Sequence, residues 1–332
     1  MPLDKSRISD ISTKIRALKV AVIGDFAVDF YYSLNQNSLE FSLETKKEVF
    51  WGSNPKTSLG GAGNVCANLA ALGVKQLTPF GVIGNDIYGR EMLSLLERIG
   101  AARENIIAVN LWNTCTYIKP IEMGIEQNRI DFGTHNHLEE EIFDLLLASL
   151  KNNLESLDIL IINQQFPKPL LTENRIEKLN AIISHYSHCL CLADLRNNGL
   201  SVRNSILKVN VDELAKLLNI RYLNEENTDD CEKYSRLLAE KIQCPLLLTR
   251  GKQGILFYDL QNSYQKTALK IDSEIDTVGA GDTVVAAFAT AYKTGASIDE
   301  SLEFANLAAA VSIQKLKQTG TASEKEIIEL VS

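Results

Sequence analysis

Short, β-rich apolar runs alternate with stretches of helical spacing along nearly the whole chain, and this alternation leaves few folds open. KVAVIGD (19–25) reads as a buried strand ending at Gly24-Asp25. The pattern returns in TPFGVIG (78–84), DILIIN (158–163), HCLCLADL (188–195), a run near 206–209 and CPLLLT (244–249). Shorter strands are expected near 105–109, 114–121, 127–132, 254–258 and 264–271. Helical spacing follows the glycine-rich turn within 58–73 and recurs over 86–100 and about 138–151, 172–184, 212–218 and 229–242. Three helices close the chain, at about 281–294, 298–316 and 323–331. Strands joined by crossover helices form a mostly parallel sheet covered on both faces. We therefore expect one α/β domain over 1–332. A Ser-, Asn- and charge-rich excursion, irregular or a β-hairpin, is expected from about 30 to 59. Ligands of such sheets bind beyond the carboxyl ends of the strands. Asp25, Asp29, Asn163 to Gln165, Asp194, Asn210 and Thr249 stand at those ends.

Several classes of function drop out early. The 42 Asp and Glu against 34 Lys and Arg leave a net charge of −8, which argues against general nucleic-acid binding. No apolar run is long enough to cross a membrane as a helix, and the first twenty residues mix charges as no secretory signal does. The six cysteines include no C-x-x-C pair, and Cys189 and Cys191 alternate onto one strand face, so reduced thiols in a cytoplasm are expected. Asp131-Phe132-Gly133 lacks the other protein-kinase motifs, and no G-x₄-GK[ST] loop occurs. His135 and His137 have no third ligand nearby and read as solvated loop residues. No G-x-G-x-x-G follows the first strand, which disfavours a dinucleotide enzyme.

The chemistry concentrates in IDTVGAGDTVVAAFATAYKTG (275–295). Gly279-Ala280-Gly281 opens a long apolar helix, where small residues and unpaired amides make an anion site. Asp282 in that position suits a carboxylate that takes a proton from a hydroxyl while the amides hold a phosphoryl group. The same residues also suit a plain helix cap. Three other stretches allow two readings each. Gly60, Gly61 and Asn64 permit close approach of a polyhydroxyl ligand, or form an ordinary turn capped by Asn64. Asp29 can accept from two sugar hydroxyls, or be a solvated loop acid. Thr249, Gly251 and Gly254 in LLLTRGKQG can cradle nucleotide phosphates, or form a hairpin turn. Lys119, Arg129 and Arg196 are either a small cationic set for a phosphorylated sugar or separate surface groups.

Taken in order, GD-x₃-D, GG-x₂-N, N-x₂-E, T-x-G-x₂-G and DTVGAGD resemble the ribokinase-like (phosphofructokinase-B type) carbohydrate kinases, from about residue 19 to 331. GDFAVDFYY, GGAGNVCANLAALG and FANLAAAVSIQKL are most similar to the heptose 7-phosphate kinase domain of lipopolysaccharide-precursor synthesis. The resemblance implies a three-layer α/β sandwich with a mostly parallel central sheet and a small β lid near 30–58 and 114–132, able to mediate a homodimer. It implies ATP-dependent phosphorylation of a hydroxyl on a sugar or sugar phosphate. Asp282 matches the catalytic base, and the amides of Gly279, Ala280 and Gly281 match the anion hole. Asp29, Gly60, Gly61 and Asn64 match sugar-binding positions. Asn210 and Glu213 match the motif that organises Mg²⁺ and phosphate. Thr249, Gly251 and Gly254 match the nucleotide loop, Asn306 the adenine side, and Asp276 with the Val278 carbonyl a K⁺ site. Three departures stand out, one being EVFWGSNPKTSLGG (48–61), which is unlike the usual heptose-kinase stretch. Asn163-Gln164-Gln165 carries amides where relatives often have a sugar-binding acid, and Asp194-Leu195-Arg196 replaces a DPK-type turn.

Overall fold

Two sheets of unequal size organise the chain in this computed structural model, which describes residues 3–316 and 319–331. In chain order the elements begin with α1 (Lys5–Ile15), β1 (Lys19–Gly24), β2 (Phe26–Phe41), β3 (Glu48–Gly61), α2 (Ala62–Ala71), β4 (Gln76–Gly84) and α3 (Ile87–Arg98). They continue with β5 (Ile106–Val109), β6 (Cys115–Glu122), β7 (Ile125–Glu126), β8 (Ile130–Phe132), α4 (Glu140–Leu154), β9 (Ile159–Gln164) and α5 (Glu173–Ile183). Next come β10 (Leu190–Leu195), β11 (Ile206–Asn210), α6 (Val211–Leu217), α7 (Thr228–Ile242), β12 (Leu246–Thr249) and β13 (Ile255–Tyr258). The chain closes with β14 (Ser263–Lys266), α8 (Ala280–Lys293), α9 (Ile298–Ser312) and α10 (Glu324–Leu330).

The large sheet has the order β14-β13-β12-β11-β10-β9-β1-β4-β5 and is parallel from β12 to β5. Its strands alternate inward residues between two cores. On one face Val20, Ile161 and Leu192 pack with α1, α2, α3, α8 and α9. On the other, Ala21, Leu160 and Leu207 pack with α4 to α7. A sheet apolar on both faces needs helices on both, which is why the strands read as continuous hydrophobic runs. Chain order reverses between β1 and β9, and a crevice opens there at the carboxyl ends.

The smaller sheet, β3-β2-β6-β7 with β8 alongside β6, leaves the large one directly after Gly24. β2 pairs with β6 only from Ala27 to Ser33, and its outer half meets β3 alone. The excursion is thus a long hairpin rather than irregular chain. Three further differences from the expected elements appear. A helix, α1, precedes β1, with Ile8, Ile11 and Ile15 fully buried. Strand β14 ends at Lys266 rather than 271, and α9 ends at Ser312 rather than 316. Cys189, just before β10, and Cys191 within it are buried in the same core, and all six cysteines are free thiols.

Candidate functional site

Where the two sheets meet, a cavity of about 200 Å³ is lined by residues from eight separate segments, among them Asp29, Asn64, Lys119, Gln165, Arg196 and Asp282. Helix α8 aims its first turn at this cavity. Its N-cap is Gly279, so Asp282 lies inside the helix and is not the cap. The Asp282 carboxylate instead accepts a 2.6 Å hydrogen bond from Asn64 Nδ2. Asn64 is likewise not a cap. Helix α2 starts from Gly61, whose positive φ of 56° and contact with the Asp25 carbonyl exclude a side chain. Loss of hydration and the nearby Asp194 carboxylate push the Asp282 carboxyl up to about 7, against the pull of Asn64 and Lys208. Gly60 and Gly61 also line the cavity. Of the three expected anion-hole amides, that of Ala280 is already spent: it donates to the Thr277 carbonyl at 3.2 Å in the turn that starts the helix. This corrects the expectation of three available donors.

Asp29 is no solvated loop acid. It is 4% exposed, and Lys119 Nζ lies 2.8 Å from its Oδ1. Lys119 also donates to the Tyr31 hydroxyl at 3.0 Å. Burial lowers the proton affinity of this ammonium, but Asp29 and Tyr31 outweigh burial and hold its pKa above the ordinary value. Lys119, Arg129 and Arg196 all line the cavity, so the three cations form one set. Arg129 is held by a bidentate pair with Asp131 and lies 4.5 Å over the Tyr117 ring. Asp131 of the discounted DFG thus orients a cavity cation. Gln165 lines the cavity and its backbone N–H donates to the Asp25 carboxylate, which also accepts from the backbone N–H groups of Phe166 and Leu170. Burial pushes the Asp25 carboxyl up to about 6 despite those three donors. Asp25 therefore shapes the loop after β9 from beneath.

A row of polar side chains crosses the sheet below α8. Asn163, Asp194 and Lys208 are register partners on β9, β10 and β11, all buried and all on the α8 face. Lys208 is a residue that motif reading passes over. Its signal is a lone cation within the apolar run ILKVN. Asn210 and Glu213 follow at the end of β11 and form a reciprocal capping box, with both bonds at 2.8 Å. Tyr117 and Thr319 are further cavity residues without a sequence motif.

The residues expected on the nucleotide side do not line this cavity. Thr249 is the register partner of Asn210. Gly251 and Gly254 belong to the turn of an antiparallel hairpin between β12 and β13. At Gly254, with φ of 87°, a Cβ would lie 2.1 Å from the Lys266 carbonyl, so only glycine fits. The Asn306 amide donates to the Lys266 and Thr267 carbonyls at 3.0 and 3.2 Å, bracing the same corner. Asp276 Oδ1 accepts from the Val278 amide at 3.1 Å, and Val278 reaches the cavity wall.

Comparison with known proteins agrees with this geometry. A sequence profile described as pfkB family carbohydrate kinase matches residues 17–325. The protein named bifunctional protein HldE from Sulfurimonas denitrificans is 31% identical over 318 residues, which cover 94% of this chain and 64% of that protein. The HldE of Aliarcobacter butzleri is 29% identical with the same coverage. The chain thus spans just under two thirds of the length of these curated relatives. Among solved structures, Escherichia coli phosphofructokinase-2 in complex with potassium superposes with a TM-score of 0.77 at 21% identity, covering 95% of this chain and 98% of that one. Arabidopsis thaliana ribokinase with ribose and ATP gives 0.72 at 19% identity, covering 95% and 99%. The strand order, the helix layers and the profile match lead to one conclusion: the chain belongs to the pfkB family of carbohydrate kinases.

Proposed function

We propose that the protein transfers the γ-phosphoryl group of ATP to a hydroxyl of a sugar that already carries a phosphate, a heptose 7-phosphate being the first candidate. One observation carries this reading: the Asp282 carboxylate shares its cavity with Lys119, Arg129 and Arg196. A neutral sugar needs a base and hydrogen-bonding groups. Three converging cations suit an anionic acceptor as well. The acceptor lies against Asp29, Gly60, Gly61, Asn64 and Gln165, with Asp282 at its reactive hydroxyl. Asp282 takes the proton as the oxygen attacks the γ-phosphorus in line. An O–P bond forms, the bond to the β–γ bridging oxygen breaks, and ADP leaves. The first turn of α8 stabilises the charge on the moving group, with Gly279 and Gly281 as its amide donors.

Nucleotide binding falls to the corner of Asn210, Thr249, Gly251, Gly254 and Asn306. The carboxylates of Asp194, Glu213 and Asp282 all act on one buried ammonium, Lys208, and their excess negative charge suits a divalent cation. Mg²⁺ bound to the phosphates would supply charge neutralisation, and Glu213 would hold it through water. Asp276 and the Val278 carbonyl are proposed to bind K⁺.

An ADP-release screen over sugars and sugar phosphates tests this. The phosphorylated acceptor should exceed its dephosphorylated form in kcat/KM by about a hundredfold, the equivalent of two charged hydrogen bonds at about 1.5 kcal/mol each. Equal turnover of both forms would remove the cations from acceptor binding, and no ADP release with any acceptor would sink the kinase reading.

The outer hairpin of β2 and β3 is proposed as the lid, with a second copy of the chain as its partner. A lone two-stranded hairpin is marginal in water, and this one exposes Leu39, Phe41, Leu43, Phe50 and Trp51. Sedimentation should find a dimer for the native chain and a monomer for Phe41→Glu/Trp51→Glu. A native monomer at tens of micromolar would reject the assembly.

A further inference from the structure

Strands β9 and β10 end side by side, with Gln164 and Leu195 in register, and each releases a loop that reaches the cavity. The loop after β9 carries Gln165 and is held from beneath by Asp25. The loop after β10 carries Arg196. Gln164 grips both. Three consecutive backbone N–H groups, those of residues 196 to 198, all donate to it. Arg196 N–H meets the Gln164 carbonyl at 3.1 Å, and Asn197 and Asn198 meet its side-chain Oε1 at 3.0 and 3.4 Å. On the other side, Gln164 Nε2 donates to the Leu171 carbonyl at 2.7 Å, which also accepts from Asn198 Nδ2 at 3.4 Å. The residues before Gln164 on β9 include the apolar run Ile159 to Ile162, and Gln164 itself is fully buried. A buried amide is costly unless its bonds are made. Here every one of them goes to a loop beside the cavity.

Arg196 differs from the other two cavity cations. Lys119 is paired with Asp29, and Arg129 with Asp131. Arg196 lines the cavity but is exposed, and among the described residues its guanidinium has no carboxylate within ion-pair distance and no hydrogen bond. A long side chain without partners keeps many rotamers open, so the anchoring of its backbone decides where the charge can reach. We propose that Gln164 is a positioning residue for acceptor recognition: by tying residues 196–198 to the end of the sheet, it sets Arg196 to bind the phosphate that the acceptor already carries. The inference rests on the proposed phosphorylated acceptor. Arg196 is the cation whose charge is still open to that phosphate, and a bidentate guanidinium contact requires a fixed approach.

The readout is a ratio: kcat/KM for heptose 7-phosphate, or the sugar phosphate that the acceptor screen selects, over that for the same sugar without its phosphate. Gln164→Met keeps the length of the side chain and removes its donor and acceptor. It should lower the ratio about tenfold, equivalent to one charged hydrogen bond, and leave the KM for ATP unchanged. Gln164→Glu keeps an oxygen for Asn197 and Asn198 and should retain more of the ratio than Gln164→Met. In an Arg196→Met background, Gln164→Met should lower the ratio no further, because the glutamine acts through the arginine. A native ratio in Gln164→Met, or the same loss with and without Arg196, would overturn the proposal. Should Gln164→Met not fold, Gln164→Asn, too short to reach Asn197, is read by the same criteria, and failure of both to fold would make the residue structural and overturn it equally. Arg196→Met alone tests the acceptor reading. An unchanged ratio there removes Arg196 from phosphate binding, whereas a ratio lost in Arg196→Met and kept in Gln164→Met removes only the role of Gln164.

Discussion

Asp282→Asn should lower kcat by about 10²–10⁴ while leaving the fold intact. The asparagine side chain can still accept from Asn64 Nδ2, so the local geometry survives. What disappears is the proton acceptor. Because the Asp282 carboxyl is raised to about 7, the native kcat/KM should fall tenfold per pH unit below that value, as the base becomes protonated. The variant should lack this limb. Stability gives an independent sign. A carboxyl with a raised folded pKa destabilises the protein progressively as pH rises from the ordinary aspartate range through about 7. Removing the charge should therefore leave the melting temperature at pH 8 equal to or above the native value. Near-native kcat on the true acceptor would reject the base, whereas a drop in melting temperature would point to damage to the fold.

The second large effect concerns Asp29. Truncation in Asp29→Ala strands the Lys119 ammonium, which is 7% exposed and keeps only the Tyr31 hydroxyl. An unpaired buried charge costs about 3–5 kcal/mol, enough to threaten a domain of ordinary stability. Acceptor turnover should vanish at the same time. The double variant Asp29→Ala/Lys119→Met separates the two losses: it should recover most of the stability in denaturant titrations and none of the activity. A single variant as stable as the native chain would show that the pair is not buried as described.

Much of this arrangement is legible in the residues themselves. Hydrophobic periodicity is a local property, and it places the large-sheet strands from Lys19 to Thr249 close to their observed bounds. Helix α1 is the exception. Its apolar signal consists of Ile8, Ile11 and Ile15 set among charged and hydroxyl residues, capped by Asp4, and so short a stripe is easily lost beside a strongly apolar strand. Gly279 to Asp282 and Gly60 to Asn64 are each contiguous, so their turn-and-helix character is also visible locally. Their contact is not. Asn64 and Asp282 meet across more than two hundred residues, because β3 returns the chain to the sheet beside α8.

Runs of strand and helix character, the glycines that turns demand and a family's ordered motifs are therefore all written along the chain, since each depends on neighbours a few residues apart. The pairing of Asp29 with Lys119 and the row of Asn163, Asp194 and Lys208 came into being with the folded sheet. Charge and hydration act through space, and parallel strands bring side by side residues that lie far apart along the chain.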